Sequence, residues 1–128
     1  MIQITNAELL TAAAALGILA DKEIPVDGTL HVVKLMRAVT AEVRAIEQVK
    51  QKMLEKYGEH SDDGKLKVAD NGQVKIVDLA NWNADWTVLM NETAEFDIQI
   101  KRSDLGRIDL APKVIFDLGQ LYLEEDAK

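Results

Sequence analysis

The sequence predicts an α+β fold: an N-terminal helical hairpin with one long helix, a small antiparallel sheet (a β-hairpin plus one strand), and two further helices. Three observations carry this. Apolar residues recur at helical spacing from about Thr29 to Tyr57. Two runs of alternating apolar and polar residues flank Asn71-Gly72. A third alternating run, Phe96, Ile98, Ile100, is followed by a Pro112-led amphipathic segment. At 128 residues the chain fits a single α+β domain with enough buried surface to need no staples.

The first helix has a marked start. Thr5-Asn6-Ala7-Glu8 reads as a capping box, in which the Thr5 hydroxyl and the Glu8 carboxylate each satisfy an orphan backbone amide. Leu9, Leu10, Leu16, Ile18 and Leu19 follow, and Ala12 to Ala15 offer small side chains that permit close approach of another helix. Pro25 then forbids one continuous helix and biases Ile24 to extended geometry.

Asp27 or Thr29 is the expected N-cap of the long helix. Its stripe is Val32, Met36, Val39, Val43, Ile46 and Met53, close to a heptad rhythm. About 29 residues at 1.5 Å each make a rod of about 43 Å. A compact chain of this length has a diameter near about 36 Å. The stripe is therefore expected to extend beyond its own domain and to meet another chain. Lys50 breaks the rhythm, and Val49, Met53 and Tyr57 take over, as in a straight helix that drifts against a heptad. Gly58 is placed to stop the helix.

Lys65 to Ala69 and Gln73 to Val77 are the expected hairpin arms. A three-residue loop, Asp70-Asn71-Gly72, pairs Val68 with Val74 and Leu66 with Ile76, keeping like faces together, and puts Gly72 at the left-handed position. Asp78 is the expected cap of a helix from Leu79 to about Asn91, with Trp82 and Trp86 one turn apart on its inward face. The two indoles are core on that reading, or anchors for a partner protein, where Trp is enriched. Glu95 to Lys101 is the third strand, and the last helix runs from Pro112 with Val114, Ile115, Leu118, Leu121 and Tyr122 on one face, interrupted by Gly119. Residues 124–128 read as a frayed acidic tail.

Composition excludes several functions. There is no cysteine, hence no disulfide and no thiolate metal site. The net charge is −7, and all of it lies in residues 58–128, where fifteen acids face eight Lys or Arg. An acidic half repels phosphate backbones, so nucleic-acid binding is not expected, while a basic protein surface is a suitable partner. Asp97, Asp104 and Asp109 are the acids proposed for such docking. The apolar stretch Leu9 to Leu19 is too short to span a bilayer and no basic leader precedes it, which fits a soluble cytoplasmic protein. No nucleophile elbow, phosphate loop, dinucleotide fingerprint or zincin helix occurs. His60-Ser61-Asp62-Asp63 is the one local group of metal-competent side chains and reads as a solvated loop. His31 reads as structural. No enzyme activity, cofactor or metal is expected.

An ordered series of short segments runs along nearly the whole chain: Ile4-Thr5-Asn6-Ala7-Glu8-Leu9, Ile24-Pro25-Val26, Ile46-Glu47-Gln48, Glu55-Lys56-Tyr57-Gly58-Glu59, Asp63-Gly64-Lys65-Leu66, Asn71-Gly72-Gln73-Val74-Lys75-Ile76, Glu95-Phe96-Asp97-Ile98, Ser103-Asp104-Leu105 and Leu110-Ala111-Pro112. In this series the chain resembles a family of small uncharacterised proteins of phages and prophages. The Val- and Ala-rich long helix and the two tryptophans depart from that pattern. The resemblance implies phage origin, residence in the host cytoplasm or the virion, and no assigned activity. It carries over no functional residue. The expected function is a non-enzymatic accessory or virion-associated protein that self-assembles or binds a phage or host protein. Val32, Met36, Val39, Val43, Ile46, Trp82 and Trp86 are its candidate interaction residues. The alternative is a host-directed inhibitor or anti-defence protein that binds a host protein or a small nucleotide signal.

Overall fold

The capping box at Thr5 forms as its sequence requires. In the computed structural model, which describes residues 2–123, Thr5 Oγ1 accepts from Glu8 N at 3.2 Å and Thr5 N donates to Glu8 Oε1 at 3.1 Å. Helix α1 (Asn6–Ala20) then buries Leu9, Ala12, Ala15, Leu16 and Leu19. These positions repeat every three or four residues, so they lie on one face.

Helix α2 (Val26–Tyr57) has 32 residues and is about 48 Å long. It begins three residues before Thr29, with Pro25 as its N-cap, and neither Asp27 nor Thr29 caps it. The reason is the proline: its fixed φ and its carbonyl start the helix, and that carbonyl accepts from Thr29 N at 2.9 Å and from the Thr29 hydroxyl at 3.2 Å. Asp27 still favours the start, as a negative charge in the first turn. Gly58 is the C-cap, as expected, with its amide donating to Leu54 O at 2.8 Å.

Helix α3 (Leu79–Asn91) is capped by Asp78, whose carboxylate accepts from Asn81 N at 3.3 Å. Helix α4 (Pro112–Leu118) is shorter than the sequence suggests. Gly119 adopts φ +54°, a left-handed value that ends the helix. Leu121 and Tyr122 are buried all the same, the first on a 3₁₀ turn and the second on a strand.

The α+β class holds, with four α-helices and two small sheets of two strands each among the described residues, but the sheets are not built from the expected pieces. Strand β1 (Ile2–Thr5) pairs antiparallel with β2 (Thr93–Phe96), placing Ile2 opposite Phe96 and Ile4 opposite Ala94. Strand β3 (Ile100–Lys101) pairs parallel with β4 (Tyr122–Leu123). The single strand expected from Glu95 to Lys101 is thus split, because Phe96 and Ile100 serve different partners.

The hairpin is a correction as well. Its turn forms: Gly72 has φ +82°, and Ala69 and Gln73 bracket the three-residue loop with a 2.9 Å amide-to-carbonyl bond. Its arms do not pair with each other. The chain leaving α2 passes between them instead, bridging Gly58 to Ile76 and His60 to Leu66. Glu59 is held from both sides, its amide donating to Lys75 O and its carbonyl accepting from Lys67 N, each at 2.8 Å. Gly58 sits where a Cβ would lie 2.7 Å from both Leu66 and Val74, so a side chain there would force the arms apart.

One core joins α1, the N-terminal part of α2, both sheets and α4. Leu9, Leu16, Leu19, Leu35, Ile100, Leu105, Leu118 and Leu121 are its fully buried side chains. Met53 and Tyr57, farther along α2, are buried outside that cluster. The expected tail at 124–128 lies outside the described residues.

Candidate functional site

The long-helix stripe is occupied mainly by its own chain. Val32, Val39 and Ile46 are buried in the core that α1 helps to form. Met36 and Val43 are half-buried. With Ala13, Leu16 and Val39 they line a groove of about 170 Å³ between α1 and α2, rimmed by Thr40, Arg44 and Glu47. The helix is long enough to outrun a globule, but the outrunning part is its C-terminal third, beyond Ile46.

There α2 meets α3, and the cover is thin. None of the 13 residues of α3 is buried. Trp82 and Trp86 are half-buried and stack on each other, with ring centroids 6.1 Å apart and planes within 7°. They are therefore not core residues. Leu79 and Val88 on the same helix, and Val77 just before it, are exposed. Asp85 accepts a 2.5 Å hydrogen bond from the Tyr57 hydroxyl, which ties α3 to the end of α2. That bond, followed by burial, holds the Tyr57 phenol above its usual range. The Lys56 ammonium lies 5.2 Å from the Tyr57 ring centre. The other end of α3 is fastened by Asn6, whose side chain donates to Leu89 O at 2.8 Å.

A second constellation escapes sequence reasoning. Gly28, on the first turn of α2, packs so closely on Asp104 that a Cβ would stand 1.7 Å from the Asp104 carbonyl oxygen. Asp104 belongs to a 3₁₀ turn, Arg102–Leu105, and is buried. One helical turn after Gly28, His31 Nδ1 lies 2.8 Å from Asp104 Oδ1. Asp104 Oδ2 accepts from Lys101 N at 2.9 Å. Gly106, with φ +62°, lies against the Pro25 ring and completes the clasp. His31 and Asp104 are 73 positions apart in sequence. The one local hint is a glycine one turn before a histidine on a helix face.

This clasp takes Asp104 out of the acidic docking face, because its carboxylate meets His31 and Lys101. Asp97 and Asp109 are exposed, the second 3.5 Å from the Arg102 guanidinium. At the His60 loop, the Ser61 hydroxyl and Lys65 N both donate to Asp63, which holds its carboxyl below the usual carboxylate range. Among the described residues no three His, Asp or Glu side chains converge as a metal site would need, and no helix is long and apolar enough to cross a membrane.

Searches against protein-family models, curated proteins and solved structures find no match to this chain.

Proposed function

We propose that this is a non-enzymatic interaction protein of phage origin that pairs with a second copy of itself through α3 and the C-terminal third of α2. Its setting is the host cytoplasm or the virion. One observation carries the reading: a 13-residue helix bearing two stacked tryptophans buries none of its residues. Such a helix has little apolar cover of its own, and Trp is enriched among the side chains that anchor protein interfaces. The phage setting rests on the ordered series of sequence segments.

The test is solution mass by light scattering after size exclusion, from micromolar to tens of micromolar protein. A dimer that dissociates on Trp82→Ala plus Trp86→Ala, with the circular dichroism of the long helix retained, supports the reading. A monomer over the whole range removes self-pairing. A dimer that survives this double change but is lost with Met36→Glu plus Val43→Glu moves the contact to the groove between α1 and α2.

A further inference from the structure

We propose that the cleft beside the His31–Asp104 pair binds a small phosphomonoester, held by His31 Nε2 and the ammonium groups of Lys34 and Lys101. This inference is independent of self-pairing and uses none of the residues of α3.

The clasp explains why His31 is aimed and not merely present. Asp104 is a buried carboxylate that accepts from the backbone of Lys101 through one oxygen and meets His31 Nδ1 through the other. A carboxylate accepts, so Nδ1 carries the proton. The ring is thereby fixed in one orientation, with Nε2 on its far side left for a ligand, while 46% of the side chain stays exposed. His31 also lines an open cleft of about 320 Å³, together with Lys34, Asp97, Ile98, Gln99 and Lys101. That is the lower end of the range for small-molecule sites.

The lining chemistry selects the ligand. Two ammonium groups supply charge for an anion. Nε2 meets a phosphate in either of its states, accepting from a P–OH as the free base or donating to P–O⁻ as the imidazolium. The cleft also holds acceptors. The Gln99 amide nitrogen donates to Gln120 O at 2.9 Å, which leaves its Oε1 free to accept, and the exposed Asp97 carboxylate is a second acceptor. Asp97 opposes a bare anion but suits hydroxyl donors on the organic part of a sugar phosphate. The expected preference is therefore for a sugar phosphate over inorganic phosphate. A ligand so held would bridge α2 to β3 and to the residues just before it.

The experiment is a titration of the ¹⁵N-labelled full chain with ribose 5-phosphate and, separately, with inorganic phosphate. Saturable shifts centred on residues 31, 34, 97, 99 and 101, with millimolar or tighter affinity for the sugar phosphate, support the site. Lys34→Ala and Lys101→Ala, both on exposed side chains that the clasp does not use, should each weaken binding about tenfold, the worth of one charge-assisted hydrogen bond. Asp97→Asn should narrow the gap between the two ligands. Absence of saturable shifts at these residues into the tens of millimolar, or equal binding by wild type and the Lys34→Ala plus Lys101→Ala variant, overturns it. In that outcome His31→Ala would still lower stability, and the pair would be a fastener alone.

Discussion

The two ends of α2 carry the same kind of apolar rhythm and meet very different surroundings. From Val32 to Ile46 the stripe packs into the core that α1 helps to form, with Leu35 fully buried and Met36 and Val43 half-buried at the edge. Past Lys50 the buried residues of α2 are Met53 and Tyr57, the second tied to Asp85 of α3 and to Val77 N. The difference teaches that a stripe records where a helix can be covered, and says nothing of who covers it. In the first half Val32, Leu35, Val39 and Ile46 are core while Met36 and Val43 line an open groove, and exposed apolar side chains stand along both halves, Leu30 and Val33 on one and Val49 on the other.

The sharpest way to break this comparison is to remove one buried side chain from each end. Leu35→Ala should cost roughly 2–5 kcal/mol and lower global stability in denaturant melts. Met53→Ala should cost about 2 kcal/mol, since a thinly covered site relaxes more readily. Its effect should appear by hydrogen exchange as early loss of protection over residues 79–91, ahead of residues 6–20. Equal, global effects from both would show that the two ends fold as one unit. A smaller effect is expected at the cap: Asp78→Ala should cost about 1 kcal/mol and fray the start of α3. If α1 amides lose protection to the same extent, the ends are coupled more tightly than their packing suggests.

The smallest effect is in the pH response. Tyr57 has its folded-state pKa raised above the usual 10.0, chiefly by donating to Asp85. The bond's contribution is therefore complete below that value and is lost as pH rises through the folded-state value. In a Tyr122→Phe background, Asp85→Asn should bring the tyrosinate midpoint down toward 10.0. An unchanged midpoint would mean that the phenol does not rely on Asp85, and the tie between α2 and α3 would be weaker than drawn.

Much of the helical framework was legible because its signals are local. Thr5 with Glu8, Asp78 before Leu79 and Gly72 in its turn each act within four residues, and each does what its chemistry dictates, whereas Gly58 ends α2 with an ordinary φ of −78° and is required by the approach of Leu66 and Val74. The sheets were not legible. Ile2 to Thr5 is only four residues, and its partner lies some ninety positions away. The hairpin arms alternate as hairpin arms do, but alternation cannot reveal that residues 58–60 will pass between them. The candidate sites divide in the same way. Trp82 and Trp86 announced themselves by size and spacing, although their partial exposure did not. His31 and Asp104 are joined only by the fold, through a contact that Gly28 alone permits.

That glycine contact has a mechanical side. It clamps α2 at one extremity, close to residues 25–31, and the remaining shaft runs some 40 Å to Tyr57. The core grips the shaft again from Val32 to Ile46, so the clasp sets where the helix begins, and the overhang that carries the tryptophan-bearing neighbour is the stretch beyond Ile46, about 16 Å long.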